Sequence, residues 1–253
     1  MKQVQIVFSP TGGTAKVAQV LTKAWGTPVE TVDLTDASAD FSAVSLSAED
    51  LSWIAVPSFG GRVPELTLER LAAVQGNGAR CVLVCVYGNR AYEDTLVELQ
   101  DAAEQCGFRV LAAIAAVAEH SILRQYATGR PDSQDCQALQ SYVEAIRAKW
   151  DQAADASPAI PGNRPYKKRG GAGMVPEAGK GCVNCGLCAR RCPAQAIDGA
   201  NVRKADAKKC ISCMRCVAEC PVSARKVNGA MLGMAALALK KVCSERKECE
   251  LFI

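Results

Sequence analysis

The 253-residue sequence has no long hydrophobic run. Its longest apolar stretches, residues 110–118 and 231–239, fall well short of the ~20 residues that a membrane-spanning helix needs. No signal peptide is expected, because Met1 leads directly into an alternating apolar segment. A soluble, cytoplasmic, reducing setting is the expectation. Two nucleotide-binding fingerprints are also missing. Without G-x-x-x-x-G-K-[ST] there is no Walker A loop, and without G-x-G-x-x-G there is no dinucleotide fingerprint. Basic residues cluster between Arg164 and Arg169, but Pro165 and Tyr166 interrupt them and no binding motif surrounds them. The cluster reads as a solvated linker, and no nucleic-acid partner is expected. Histidine occurs once, at His120.

Cysteine, in contrast, is plentiful, with fourteen residues. Hydrophobic residues make up 49% of the chain, enough to bury a core without disulfides. A chain this long is also outside the class of short secreted disulfide scaffolds. Eight of the cysteines fall in one stretch that repeats a single spacing, C-x2-C-x2-C-x3-C-P. The first copy is Cys182, Cys185, Cys188, Cys192 and Pro193; the second is Cys210, Cys213, Cys216, Cys220 and Pro221. Closely spaced thiolates in tight loops suit an iron–sulfur cluster, and in this spacing the fourth cysteine of each run closes the other cluster. One [4Fe-4S] cluster then takes Cys182, Cys185, Cys188 and Cys220, and a second takes Cys210, Cys213, Cys216 and Cys192. Zinc is the competing reading, since paired C-x2-C also makes zinc sites. A third cysteine at the same short interval and a proline after the fourth, both repeated, argue for clusters. A [3Fe-4S] centre is the minor variant.

Upstream, apolar segments alternate with helix-period segments. Strands are expected over residues 2–8, 29–34, 51–56, Arg80–Tyr87 and 108–117. Helices are expected over residues 15–25, 65–74, 93–106 and 133–154. Such alternation gives an α/β fold, a five-stranded doubly wound parallel sheet. Right-handed crossovers place the strand-end loops on one edge, and ligands of such sheets sit there, at the switch point. The first loop, Ser9, Pro10, Thr11, Gly12, Gly13 and Thr14, packs hydroxyls and glycines at a helix start. Small residues let backbone N–H groups approach a phosphate, and the helix dipole favours the anion. The second loop holds Pro57, Ser58, Phe59, Gly60, Gly61 and Arg62, and the third Tyr87, Gly88, Asn89, Arg90 and Tyr92. A planar ring fits between them.

On these motifs, residues 1–155 resemble a flavodoxin, with Ser9-x-Thr11-Gly12-x-Thr14 matching its FMN phosphate loop. Residues 179–229 resemble a two-cluster ferredoxin, a small α+β domain. The whole chain is similar to flavodoxin–ferredoxin fusion proteins of anaerobic bacteria and archaea. The resemblance implies FMN as cofactor and an electron-transfer role. The second loop lacks the tryptophan of ordinary flavodoxins, so Phe59 is the candidate ring-stacking residue, with Tyr87 and Tyr92 as alternatives. Arg62 and Arg90 read as loop anchors or FMN contacts.

Residues 156–178 read as an extended, poorly packed linker rich in proline and glycine. After the ferredoxin unit, residues 230–241 read as an amphipathic helix that packs as a tail, within a C-terminal segment of 230–253. Cys81, Cys85, Cys106 and Cys136 read as structural, and Cys243 and Cys249 are too few for a further metal site. His120 follows the fifth strand and reads as a structural hydrogen-bonding residue, or as a proton donor beside the flavin. Residues 1–155 carry 12 Lys and Arg against 19 Asp and Glu, and residues 156–253 carry 18 against 7, so the two parts should attract each other or a matching copy.

The function expected is an electron carrier that links one-electron partners, such as a ferredoxin or a reductase, to a two-electron partner. The alternative is an FMN-dependent reductase of a small molecule fed by the clusters. A homo-oligomer is compatible with either.

Overall fold

The structure, a computed structural model, describes residues 1–152, 156–170 and 173–253. Its first part runs β1 (Gln3–Val7), α1 (Gly13–Trp25), β2 (Val29–Asp33), β3 (Leu51–Pro57) and α2 (Glu65–Leu71). It continues through β4 (Arg80–Tyr87), α3 (Thr95–Gln105), β5 (Arg109–Val117) and α4 (Ser133–Asp151). Residues 153 and 154, the end of the expected last helix, lie outside the described residues. The five strands are parallel, in the order 2-1-3-4-5. That is the flavodoxin-like order of doubly wound sheets.

Both faces of this sheet are covered, which explains why its central strands are apolar runs and not alternating ones. β4 is buried from Cys81 to Tyr87, and β5 from Val110 to Val117. Cys81 and Cys85 lie in this core, where burial pushes their thiols far up, as expected for structural cysteines. Val17 and Leu21 of α1 pack with Leu139 and Val143 of α4 on one face. Leu71 of α2 packs with Leu96 and Leu99 of α3 on the other. α4 starts in a capping box, in which Asp132 and Asp135 each accept the other's backbone N–H.

A sixth strand, β8 (Glu250–Phe252), was not expected. It runs antiparallel to β5, pairing Ala113 with Phe252, Ile114 with Leu251 and Ala115 with Glu250. The open edge of β5 would otherwise present unpaired backbone groups. Three residues are too few for a periodicity signal, which is why the sequence shows no strand here.

The cysteine-rich unit is a small α+β domain. β6 (Glu177–Ala178) pairs antiparallel with β7 (Arg225–Lys226), and two short helices, α5 (Leu187–Arg190) and α6 (Arg215–Ala218), lie between them in sequence. The two halves repeat their backbone at a 28-residue offset. Asn184 and Ser212, Gly186 and Met214, and Gln195 and Ser223 all take positive φ, between 48 and 75°. α7 (Gly229–Cys243) follows, its N-terminus capped by Asn228 Oδ1. The tail packs on the first domain: Asn89 Nδ2 donates to Cys243 O (2.9 Å) and Glu245 O (2.7 Å), and Tyr142 Oη donates to Cys249 O (2.6 Å).

Residues 156–170 are extended and largely exposed, as expected, but they are tied to the first domain by hydrogen bonds and ion pairs; residues 171 and 172 lie outside the description. β6 already belongs to the second domain. Before it, the basic run lies along the acidic flank of α3. Asp94 Oδ1 accepts from Asn163 N and Nδ2, both at 2.9 Å, and Asp94 Oδ2 accepts from Lys167 N at 2.6 Å. Arg164 pairs with Asp101, and Arg169 with Glu98. Part of the run therefore has carboxylate partners, although Arg164 and Arg169 stay exposed.

Glu98, only 4% exposed, joins three segments. It accepts from Arg62 Nε (2.8 Å) and Nη2 (2.6 Å), from Val63 N (2.8 Å), and from Arg169 Nη2 (2.5 Å). Removing one member of a buried ion pair costs about 3–5 kcal/mol. Glu98→Gln should destabilise the protein on that scale in denaturant unfolding and make the 156–170 segment more sensitive to protease.

Candidate functional site

The loops after β1, β3, β4 and β5 leave the carboxyl ends of parallel strands and share one edge of the sheet. Two adjoining cavities lie among them, sharing Ser58, Phe59, Tyr87, Gly88, His120 and Ser121 as walls. The smaller, about 70 Å³, reaches the start of α1 and is also lined by Pro10, Thr11, Gly13, Thr14 and Pro57. The first N–H groups of a helix have no partner inside it. α1 has no acidic residue in its first turn and its N-cap is Gly12, which has no side chain; Ser9 Oγ already accepts one first-turn donor, Ala15 N, at 2.9 Å. Glu119 also lines this cavity, but its carboxylate is held by Arg124 Nε (2.5 Å) and Gly129 N (3.2 Å). The remaining donors suit a phosphate.

The larger cavity, about 750 Å³, is the right size for a small-molecule cofactor. One wall is the turn Phe59-Gly60-Gly61-Arg62. Phe59 and Arg62 exchange backbone hydrogen bonds at 2.9 and 3.3 Å, and Gly60 and Gly61 have φ of 62 and 85°. Positive φ at both central residues is the requirement of a type I′ turn, which glycine meets without strain. Half-buried Phe59 is thereby presented to the cavity, whereas Tyr87 is almost fully buried and packs edge-on against Tyr92. On the far side stand the 210–212 loop of the cysteine domain and Ala235 and Leu239 of α7.

His120 lines both cavities, and Gly88 makes room for it: a Cβ on Gly88 would lie 2.7 Å from the imidazole. The ring's Nδ1 accepts from Ile122 N and Leu123 N, both at 3.2 Å. The neutral ring therefore carries its proton on Nε2. Burial lowers its pKa below the ordinary 6.5.

Not every expected site residue reaches the cavities. Arg90 lines the larger one, but Ser9, Gly12, Gly61, Arg62, Asn89 and Tyr92 line neither. Each has a structural contact. Gly12 O accepts from Lys16 N within α1's first turn, and Gly61 O accepts from Asp94 N. Arg62 pairs with Glu98, and Asn89 holds the tail. Tyr92 Oη donates to Glu250 in β8. Conversely, the cavity walls include Ser121 and Leu239, which had not been singled out. Ser121 follows β5, so the strand-end rule alone could have found it.

The eight repeated cysteines line two further cavities in a crossed grouping. Cys182, Cys185, Cys188 and Cys220 line one; Cys192, Cys210, Cys213 and Cys216 line the other. Among the described residues no group of three or more His, Cys, Asp and Glu side chains is arranged to hold a single metal ion. Quartets around a small cavity suit a larger inorganic centre better than one zinc. The two kinds of site meet directly. Cys213 lines both its own quartet's cavity and the smaller cavity at α1, and Cys210 lines both its quartet's cavity and the larger one.

Fold and cysteine pattern together define a redox protein of two modules. Residues 181–225 match the family model of the 4Fe-4S dicluster domain. No curated protein matches the chain. Among solved structures, a flavodoxin of Streptococcus pneumoniae TIGR4 is 20% identical, covering 58% of this chain and 99% of its own, with a TM-score of 0.42. Flavodoxin 1 of Bacillus cereus is 14% identical over 58% of this chain and 98% of its own, with a TM-score of 0.43. A Megasphaera elsdenii flavodoxin is 18% identical over 56% and 98%, with a TM-score of 0.40. The fold assignment rests on this chain's own strand order. The chain thus joins a doubly wound domain with the flavodoxin-like strand order to a region that matches the 4Fe-4S dicluster domain. Among the described residues no helix is long and apolar enough to cross a membrane.

A single histidine makes the site easy to observe. Its lowered pKa means that the unfolded chain takes up a proton first, so this residue withdraws stability as pH falls below about 6.5. In ¹⁵N-resolved NMR of the folded protein, the one imidazole should titrate below 6.5 and show Nε2–H in its neutral form.

Proposed function

We propose that this chain is an electron-transfer protein that carries FMN in the edge cavities and a [4Fe-4S] cluster in each cysteine cavity. Bound iron–sulfur clusters exchange single electrons and a flavin exchanges one or two, so together they join one-electron to two-electron partners. The chain supplies placement. The first turn of α1, with Thr11 and Thr14, holds the phosphate; Phe59 stacks on the ring; His120 presents Nε2–H to the cavity. The crossed cysteine quartets hold the clusters. The observation that carries the reading is the shared wall, since the Cys210–Cys213 loop belongs at once to a cluster site and to the flavin site. The setting is cytoplasmic, and the partners are redox proteins such as a ferredoxin or a reductase.

The size of the larger cavity supports a second reading, reduction of a small molecule bound beside the flavin. Leu239→Trp, which fills that cavity from α7, separates the two. Transfer to a redox protein should survive it in a carrier, whereas turnover of a bound substrate should not.

Anaerobically purified protein should hold about eight irons, as two [4Fe-4S] clusters require. Cys182→Ser and Cys220→Ser should perturb the same EPR signal despite their distance in sequence. Thr14→Val should weaken FMN more than riboflavin, which lacks the phosphate; equal loss of both would remove this loop from the phosphate site. In stopped-flow absorbance, a reduced low-potential ferredoxin should reduce the flavin through the clusters. Cys182→Ser or Cys210→Ser should slow that reduction while FMN stays bound. Unchanged rates in both variants would take the clusters off the path.

A further inference from the structure

The repeat in the cysteine domain exchanges an apolar residue for an arginine at two internal places: Leu187 becomes Arg215, which pairs with Glu219, and Ile197 becomes Arg225. Cys192-Pro193-Ala194-Gln195-Ala196-Ile197 recurs as Cys220-Pro221-Val222-Ser223-Ala224-Arg225. The local geometry also recurs, because Ala196 N and Ala224 N each donate to the Sγ of their own cysteine at 3.3 Å. Ile197 lines the cavity of the second quartet, as an apolar side chain should. Arg225 takes the equivalent place at the first quartet.

A guanidinium in that place needs a reason. Arg225 is 2% exposed. Its Nη1 donates to Val202 O at 2.5 Å and lies 3.8 Å from Cys188 Sγ, and its Nη2 donates to Pro176 O at 3.0 Å. Its Nε has no hydrogen-bond partner, and Arg225 enters no ion pair among the described residues. A buried charge with no opposite charge is strongly unfavourable. The anionic groups available are the cysteine sulfurs of the first quartet, whose cavity Arg225 lines. Cys188 Sγ of that quartet lies against the guanidinium.

We infer that Arg225 is an electrostatic partner of the first cluster site, compensating the charge of that cluster and raising its reduction potential. This rests on reading each quartet as a [4Fe-4S] site. Reduction adds an electron to an already anionic centre, and a fixed positive charge in a low-dielectric interior favours that form. Arg225 is a positioning and tuning residue, not a ligand.

The test is an anaerobic redox titration followed by EPR, on full-length wild type and on Arg225→Ile, Arg225→Gln and Arg225→Lys. Iron and sulfide content and the wild-type spectrum check the cluster reading itself; absence of [4Fe-4S] signals there would sink that reading, apart from any role of Arg225. With clusters present, the neutral variants should lower the potential of the first cluster, the one whose EPR signal Cys182→Ser perturbs. A tenfold change in its reduction equilibrium corresponds to ~59 mV for a one-electron couple. Arg225→Lys should stay near wild type. An unchanged potential of that cluster in the neutral variants, or a larger shift at the other cluster, would overturn the role. If both neutral variants lose iron, retention in Arg225→Lys supports charge compensation, and loss in all three overturns it.

Discussion

The carboxylate of Glu98 holds together the parts that the candidate site depends on. It is buried on α3, yet it binds Arg62 from the loop after β3, the Val63 amide beside it, and Arg169 from the segment that leads to the cysteine domain. A charge so buried is tolerable only when opposite charges and donors surround it. Arg62 is the closing residue of the turn that presents Phe59, and Arg169 itself lines the larger cavity. The same ion-paired cluster thus orients a side chain within the site and attaches one of its outer walls.

Electrostatics also fastens the segments on either side of the cysteine domain to the first domain. The acidic excess of the first domain and the basic excess of the rest are not spread as diffuse surface charge. Part of that charge is spent in defined pairs: Arg164 with Asp101, Lys167 with Glu93, and Arg246 with Asp132 and Asp135. Exposed pairs of this kind contribute little each, but they select one docked arrangement. Neutral contacts complete it. Arg70 donates to Leu34 O within the first domain and to Pro193 O of the second, and Ile211 packs against the sheet's core.

The sheet and the cysteine spacing were legible in the sequence because each is a periodic signal. Apolar runs such as Arg80–Tyr87 mark strands buried on both faces, and the repeated cysteine interval marks two equivalent loops. Loop residues were legible by type but not by direction. Asn89 and Tyr92 occupy a loop at the ligand edge, as expected, yet they bind the tail. Their partners lie 154 to 158 residues away, a separation that no local pattern encodes. The contacts of the linker were hidden for a related reason: proline, glycine and arginine describe an extended segment, and nothing local marks the carboxylates of α3 beneath it. Arg225 stood out only when the two halves of the repeat were aligned and its burial was known.

The strand β8 changes what kind of object the cysteine domain is. A domain joined through one linker is a pendant, and its encounters with the other domain are governed by the linker's length. Here the chain is fastened to the first domain before the cysteine region, along α3, and again after it, along β5. The cysteine domain is thus a loop closed at both ends, topologically an insertion ahead of β8. Such a loop can rock about its two fastenings, but it cannot swing away while both hold. Detaching the domain means peeling off a three-residue strand or unzipping the charged strap, so the range of its motion is set by whichever fastening gives first.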